Sequence, residues 1–516
     1  MTTAATTTTD TAGTTSAATR PPVQFTYRSS KELVACLGPP TGTSVGDKQT
    51  GNIRAFVYSK DGRYLAWATP ENVQVVDAIS MQPICEIART NVLDLVFSPR
   101  GNFLSTWERF VKREGDEPAH RNMTVWEAAT GTEVTAFTQR NQSGWSMQWT
   151  HDEEFCARLV TNEIHLYHVK QLANGTYSPL RLEGIANFSV SPGKSPSIAA
   201  FVPERKGAPA SIRVFSLTDF QRPKAIKTFF RADNVQMYWN HLGTHLLVLT
   251  QTDVDKTGKS YYGETGLYYL AVSGNYDCRV TLDKEGPVHD VAWSPNSKEF
   301  VVVYGFMPAK ATLFDHRANA IHDFGTLPRN YVQFSPHGRF ICLAGFGNLA
   351  GTIDIWDRKR LTKLSTIDGN GASVCDWCPD DRHLMTAILS PRLRVDNGYK
   401  VWHYRGVLVQ KEEIPELYQI AWRPAPATLY PVRNTLSPAP KGIEVATSKA
   451  VSSKPVGVYR PPGARAMAAT PGLNKVGGGA GKTVPGMAPK EPEGAAAAAG
   501  KGKKKKDGKK KGEVGA

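Results

Sequence analysis

Two stretches decide the fold: VQFSPHGRF (Val332–Phe340) and IDIWD (Ile353–Asp357), which follows about twenty residues later. Val332 and Phe334 alternate with a polar residue, the SPHG segment supplies turn residues, and a second β-rich run begins directly after it. This pattern predicts two antiparallel strands joined by a tight turn.

The same hairpin pattern recurs along the chain. The residue before each turn serves as a marker, which gives Tyr58, Phe97, Trp149, Val190, Trp239, Trp293, Phe334, Trp377 and Trp422. Their mean spacing of about 45 residues is the length of a four-stranded β-propeller blade. A second apolar marker keeps the same period at Val76, Trp126, Tyr167, Phe215, Tyr269, Phe314, Trp356 and Trp402. Two markers in register predict an all-β, WD40-like propeller with nine blades.

The two ends of the repeat are each incomplete. VQFTYRSSKELVACLG (Val23–Gly38) contains two β-like runs before the first marker, whereas the ninth marker, Trp422, starts a blade that lacks its later strands. We therefore expect the N-terminal runs to complete the last blade, which removes two open sheet edges. The predicted organisation is a disordered leader (1–20), the propeller (21–430) and a disordered tail rich in Pro, Gly, Ala and Lys (431–516).

Most of the positive charge lies in that tail. The chain has a formal net charge of +15, and residues 431–516 hold seventeen Lys and Arg against five Asp and Glu. The eight lysines near the C-terminus predict salt-sensitive binding to RNA phosphates, whether of rRNA, tRNA or mRNA. They are Lys501, Lys503, Lys504, Lys505, Lys506, Lys509, Lys510 and Lys511. A nuclear localisation signal is the alternative interpretation of a lysine run.

The seven cysteines and the hydropathy pattern indicate the compartment. The cysteines are odd in number and scattered through strand-like runs, which favours reduced thiols in a cytoplasmic protein. No apolar stretch reaches the eighteen or so residues of a membrane span, so no membrane partner is expected.

Long connections between the second and third predicted strands should share one face of the ring, because antiparallel strands alternate in direction. They carry the five cations that we predict to contact RNA or the ribosome: Lys256, Lys259, Lys310, Arg392 and Arg394. Long loops on a rigid scaffold are a common place for binding. The alternative is that these are ordinary solvated loops, since acidic residues in the same connections dilute the positive field.

Four local motifs resemble ligand or catalytic sites but lack the context that such sites need. Residues 42–46 match a nucleophile elbow without its helix, and residues 476–483 resemble a phosphate loop without its first glycine. Residues 253–264 approach a calcium loop, but lysines interrupt it, and Cys375 and Cys378 form only half of a zinc motif. We expect no enzyme activity, cofactor, metal or nucleotide.

Several longer phrases carry a family resemblance. TDVDKTGKSYYGE, VYGFMPAKAT, LAGFGNLAGTIDIWD, PRLRVDNGYKVWHY and VYRPPGAR together resemble the eukaryotic translation initiation factor 2A family, over about residues 23–465. A lysine–glycine tract stands where the family pattern has a charge-mixed, helix-forming C-terminus.

The resemblance implies a function that composition and spacing do not. It implies a nine-bladed propeller that binds the small (40S) ribosomal subunit and directs initiator methionyl-tRNA to it, without GTP and in a codon-dependent manner. Other initiation factors are further possible partners. The alternative is a non-catalytic propeller scaffold for protein–protein contacts within an initiation complex.

Overall fold

Each marker residue ends the first strand of a four-stranded antiparallel sheet in the computed structural model of the chain. The structure describes residues 21–112, 120–205, 207–252, 263–432 and 435–443. All of them belong to one compact unit, Met1–Val445. Nine such sheets form nine blades among these residues, so the predicted all-β, nine-bladed propeller is confirmed.

The strands of each of the first eight blades follow one another along the chain. The N-terminal strands are β1 (Gln24–Arg28), β2 (Glu32–Leu37) and β3 (Ser44–Thr50). Blade 1 holds β4 (Ala55–Tyr58), β5 (Tyr64–Ala68), β6 (Val73–Asp77) and β7 (Pro83–Ile87). Blade 2 holds β8 (Val92–Phe97), β9 (Phe103–Glu108), β10 (Met123–Glu127) and β11 (Glu133–Phe137). Blade 3 holds β12 (Gln148–Trp149), β13 (Phe155–Val160), β14 (Glu163–His168) and β15 (Ser178–Arg181).

The middle of the ring repeats this arrangement. Blade 4 holds β16 (Asn187–Val190), β17 (Ser197–Val202), β18 (Ala210–Ser216) and β19 (Ala225–Phe229). Blade 5 holds β20 (Asn234–Trp239), β21 (His245–Gln251), β22 (Thr265–Ala271) and β23 (Asp277–Arg279). Blade 6 holds β24 (Val288–Trp293), β25 (Glu299–Tyr304), β26 (Ala309–Asp315) and β27 (Ala320–Leu327).

The last blades lead back to the N-terminus. Blade 7 holds β28 (Tyr331–Phe334), β29 (Phe340–Ala344), β30 (Thr352–Asp357) and β31 (Thr362–Asp368). Blade 8 holds β32 (Val374–Trp377), β33 (His383–Ile388), β34 (Gly398–His403) and β35 (Leu408–Glu413). Blade 9 combines β36 (Gln419–Trp422) with β1, β2 and β3. The only helices in the described ranges are two 3-10 segments, Val169–Asn174 and Ala427–Leu429, and no helix there is long and apolar enough to span a membrane.

The marker turn folds in the same way in several blades. In blade 7 the backbone N–H of Phe340 donates to Ser335 Oγ (3.0 Å) and that of Ser335 to the carbonyl of Phe340 (2.9 Å). Gly338 adopts a positive φ of 71°, which glycine accepts without a Cβ penalty. Buried Ser59 and Ser98 receive the matching hydrogen bonds in blades 1 and 2. The Ser-x-x-Gly pattern shared by these three turns therefore favours a tight hairpin.

Apolar packing lies between blades. Nine buried clusters occur in the described chain, and each joins two neighbouring blades around the ring. The first strands of neighbouring blades contact one another around the axis, whereas outer strands such as β7 and β27 are largely exposed. Each blade thus depends on two neighbours to cover its faces.

Blade 9 closes the ring. β1 pairs antiparallel with β36, with Phe25 opposite Trp422 and Arg28 opposite Gln419. The Gln419 side chain then clamps blade 1: its Nε2 donates to the carbonyl of Phe56 (2.7 Å), and its Oε1 accepts the N–H of Phe56 (3.2 Å). The predicted closure is confirmed. The sequence pattern missed β3, because SVGDKQT is polar and mostly exposed at the blade's outer edge.

The described part of the chain extends past residue 430, the predicted end of the propeller. Ser437 is buried, its Oγ accepts a hydrogen bond from Arg382 Nη2 (2.9 Å), and its carbonyl accepts one from Tyr404 OH (3.1 Å). The N–H of Ile443 donates to the carbonyl of Leu408 (2.9 Å). Ser437 and Ile443 of the predicted tail therefore have partners on blade 8, and the predicted boundary at residue 431 stays a prediction. The leader (1–20) and residues 444–516 lie outside the described residues.

Substitution of Phe25 tests the closure. Phe25 is fully buried and contacts Tyr399 and Trp422 edge-on, with ring centroids 5.0 and 5.5 Å apart. Phe25→Ala should lower the free energy of unfolding by about 3–5 kcal/mol, measured by denaturant titration. Phe230→Ala is the matched control, because Phe230 is 77% exposed. Equal effects of the two substitutions would show that β1 is not part of the packed ring.

The partly buried carboxyl group of Asp290, between blades 6 and 7, gives a pH test. Asp290 Oδ2 accepts the N–H of Val332 from the next blade (2.8 Å), and burial raises the pKa of Asp290 to about 6, despite hydrogen bonds that favour the carboxylate. Because the folded pKa is raised, ionisation costs more in the folded protein than in the unfolded chain. Asp290 therefore destabilises the fold as pH rises through about 6.

Asp290→Asn keeps an oxygen acceptor but removes this ionisation. Between about pH 4 and 7, melting temperature should fall more steeply for the wild type than for Asp290→Asn, so that the variant gains relative stability as pH rises. Thermal melts at a series of pH values measure the difference. Parallel profiles would mean that Asp290 is not desolvated.

Candidate nucleic-acid interface

Two faces of the ring differ in the connections that they carry. Antiparallel alternation places the connections between second and third strands on one face, together with the segments that lead from each blade to the next. We call this the loop face. The opposite face carries the marker turns and the turns between third and fourth strands, and we call it the turn face. Each predicted long connection joins a second to a third strand, as predicted; these connections span 108–122, 203–209, 252–266, 305–310, 345–351 and 390–400.

The Arg392 and Arg394 side chains are exposed on the loop-face connection between β33 and β34. The Asn397 side-chain amide, which is buried, fixes this loop by donating to the carbonyl of Leu393 (2.8 Å). Arg392 Nη2 lies 3.4 Å from the point that a Cβ on Gly347 would occupy, so it approaches the corresponding loop of blade 7. Within the described part of the chain, no ion pair holds either guanidinium group.

Lys310 has a different environment from the one predicted. It lies in β26, where its Nζ is 2.5 Å from Asp283 Oδ2 and 3.0 Å from Asp323 Oδ2. The hydrogen bonds that the Lys310 ammonium donates to these carboxylates raise the pKa of Lys310, and only 16% of its side chain is exposed. Lys310 therefore ties together segments of blade 6, and an RNA phosphate would have to displace both carboxylates. We leave it out of the proposed interface.

The remaining predicted contacts lie outside the described residues. They are Lys256, Lys259, Lys501, Lys503, Lys504, Lys505, Lys506, Lys509, Lys510 and Lys511. Most of the calcium-like segment is outside them too. Its described acidic member, Glu264, forms an ion pair with Arg231 (3.2 Å).

One group of possible metal ligands occurs in the described chain, at Cys378, Asp380 and His383. His383 Nδ1 and Asp380 Oδ2 are 2.7 Å apart, a hydrogen-bond distance, and Asp380 also accepts the backbone N–H of Arg382 (2.9 Å). Burial alone would raise the pKa of Asp380, but hydrogen bonds, led by that from His383, lower it to about 2. The three residues belong to the turn that follows the marker Trp377, and these hydrogen bonds account for their proximity.

The predicted half of a zinc motif does not bring its two cysteines together with a further pair. Cys375 Sγ lies 3.9 Å from Cys342 Sγ in blade 7, and all seven cysteines are free.

The surroundings of the Arg392 loop are acidic. A groove between blades 7 and 8 is lined by four carboxylates and two lysines: Asp368, Asp396, Glu412, Glu413, Lys400 and Lys411. The Lys411 ammonium is itself paired with Glu413 (2.7 Å). The two exposed arginines therefore stand at the edge of a negative surface, which sequence reasoning did not anticipate.

Sequence reasoning also missed two arginines on the loop face. Arg54 and Arg89 line one cleft with Arg109 and Arg121, which belong to the predicted long connection 108–122. Arg54 and Arg89 lie in blade-to-blade segments, which were not included among the candidate loops. Strand alternation was the available signal, because it places these segments on the same face as the long connections.

The nine four-stranded sheets and the pairing of β1 with β36 define the chain as a nine-bladed propeller with exposed arginines on its loop face. A family model described as eukaryotic translation initiation factor eIF2A matches residues 227–420. A eukaryotic translation initiation factor 2A from Schizosaccharomyces pombe is 47% identical over 461 residues, covering 87% of this chain and 79% of the relative. The corresponding Dictyostelium discoideum protein is 36% identical, covering 88% and 74%.

A solved structure agrees with these relatives. A crystal structure described as a eukaryotic initiation factor superposes with a TM-score of 0.73 at 44% identity, covering 79% of this chain and all of that one. The chain therefore belongs to the eukaryotic translation initiation factor 2A family, and its role is that of a translation initiation factor.

Proposed function

We propose that this chain binds the small ribosomal subunit in the cytoplasm and directs initiator methionyl-tRNA to it, without GTP and in a codon-dependent manner. Membership of the initiation factor 2A family is the observation that carries this proposal. The loop face supplies fixed contacts through Arg392 and Arg394, and the lysine-rich C-terminal segment supplies long-range attraction to RNA phosphates.

The lysines and the ring have different physical roles in this proposal. Lysine ammonium groups bind phosphates as point charges without reading sequence, and they act over a distance set by the salt concentration. Arginines on an anchored loop can make directed, bidentate contacts. The lysines should therefore control the salt dependence of binding, and the ring should control where the factor docks.

A protein scaffold within an initiation complex is the second candidate. The acidic groove beside Arg392 favours it, because four carboxylates repel phosphates and attract basic protein segments. The two candidates differ in what Arg392 and Arg394 contact on the subunit, which is rRNA in the first case and protein in the second.

Neutralising the C-terminal lysines tests the proposed RNA attraction. Replacing all eight with glutamine in the full-length chain should weaken binding to purified small subunits severalfold. The slope of log affinity against log salt should flatten by about 0.7–0.9 per lost phosphate contact. Fluorescence anisotropy over a salt series measures both. An unchanged affinity and slope would contradict the role of the lysines.

Charge reversal at the loop tests directed docking. Arg392→Glu/Arg394→Glu should weaken small-subunit binding about tenfold without changing the melting temperature, because both side chains are exposed. Lys194→Glu/Arg222→Glu is the matched control, with the same charge change at two exposed turn-face positions. Crosslinking mapped by residue then distinguishes rRNA from ribosomal protein as the contact of this loop. An equal loss of small-subunit binding in both variants would show that the effect depends on net charge and not on the position of the arginines.

A further inference from the structure

We propose that the cleft between blades 1 and 2 on the loop face is a second, separate binding site for the phosphate backbone of RNA. We call it the arginine cleft, and its guanidinium groups come from Arg54, Arg89, Arg109 and Arg121. The proposal rests on the proposed RNA-binding function and adds the blade-to-blade arginines Arg54 and Arg89 to one of the long connections of the loop face. The cleft has a volume of about 960 Å³, which leaves space for several nucleotides.

The described lining of the arginine cleft carries more positive than negative charge, with four arginines against two carboxylates. Its lining contains two carboxylates, Glu108 and Glu133. Glu108 is buried and already has partners, because its Oε1 lies 2.6 Å from Arg89 Nη2 and 2.9 Å from His120 Nε2. Among the described lining residues, Glu133 is the one other carboxylate beside Arg54, Arg109 and Arg121. This contrasts with the groove between blades 7 and 8, where carboxylates outnumber lysines.

Hydrogen bonds fix part of the guanidinium array. Arg89 Nη2 also donates to the carbonyl of Arg121 (2.6 Å), which joins the start of β8 to the far end of the blade 2 loop. Arg54 Nη2 donates to Asn91 Oδ1 (3.2 Å), a contact between the segments on either side of blade 1. Arg109 and Arg121 are exposed, and no ion pair holds them within the described ranges. Two arginines are thus positioned by the fold, and two are free to bind.

An aromatic stack stiffens the wall of the cleft. The Phe110 ring contacts both Arg140, whose Cζ is 5.5 Å from its centroid, and His120, whose ring centroid is 6.0 Å away. His120 Nδ1 accepts the N–H of Val111 (3.3 Å), and its Nε2 lies 2.9 Å from Glu108 Oε1. The residues on both sides of the loop are held in place, which lowers the entropic cost of binding.

The chemistry favours a phosphodiester backbone as the occupant. Guanidinium groups present planar forks that match phosphate oxygens, and Arg is the usual residue where such contacts are directed. Several arginines around one open cleft match the repeated phosphates of a nucleic acid strand. An acidic protein segment is the competing occupant, and the experiment below separates the two.

Charge reversal in the full-length protein tests the arginine cleft. The variant is Arg109→Glu/Arg121→Glu, and Lys194→Glu/Arg222→Glu on the turn face is the control with the same charge change. The probes are a fluorescein-labelled RNA hairpin of about 20 nucleotides and purified small subunits. We expect the cleft variant to bind the hairpin at least about tenfold more weakly, with a salt slope lower by about 1 to 2, because two phosphate contacts are lost.

The control variant should stay within about twofold of the wild type, and Arg109→Lys/Arg121→Lys should retain the salt slope. Equal losses in the cleft and control variants, or no loss in either, would overturn the proposal. Unchanged hairpin binding with lost subunit binding would also overturn it, and would assign the cleft to a protein contact. A wild type that binds the hairpin through the cleft but fails to bind small subunits would refute the proposed function and leave the cleft standing.

Discussion

The pairing of β1 with β36 is the constraint on which the rest of the structure depends. No blade covers its own faces, so the apolar clusters are complete only when every blade has two neighbours. Four backbone positions of β1 lie opposite β36, and both neighbours of blade 9 pack against it through buried clusters. The N-terminal strand of the propeller thereby pairs with its C-terminal strand, and the ring has no open sheet edge at that point.

This closure also determines how the loop face is presented. The connections that carry Arg109 and Arg392 start and end in strands buried between blades, so their ends cannot move independently of the ring. Side-chain anchors such as Asn397 and His120 then fix the loops locally. The result is one face with a negative groove near blades 7 and 8 and a positive cleft between blades 1 and 2. A large ligand that docks on this face meets two surfaces of opposite sign.

Local signals made most of the fold predictable from the sequence. Marker residues such as Phe334 and Trp422 end their strands as predicted, because hairpin turns and strand alternation depend on neighbouring residues. β3 escaped prediction because a polar edge strand has no apolar alternation. The site was less predictable, because charge environment depends on residues distant in sequence. Lys310 forms ion pairs with Asp283 and Asp323, which neutralise its charge. Arg54 and Arg121 line the same cleft although they belong to different blades.

Amide hydrogen exchange in the intact protein tests ring closure most directly. If β1 is an integral strand of blade 9, peptides covering Gln24–Arg28 and Gln419–Trp422 should exchange together, as slowly as the inner strand Tyr331–Phe334 of blade 7. Exchange of Gln24–Arg28 at the rate of an unstructured peptide, with Gln419–Trp422 still protected, would contradict a ring closed by its N-terminal strands.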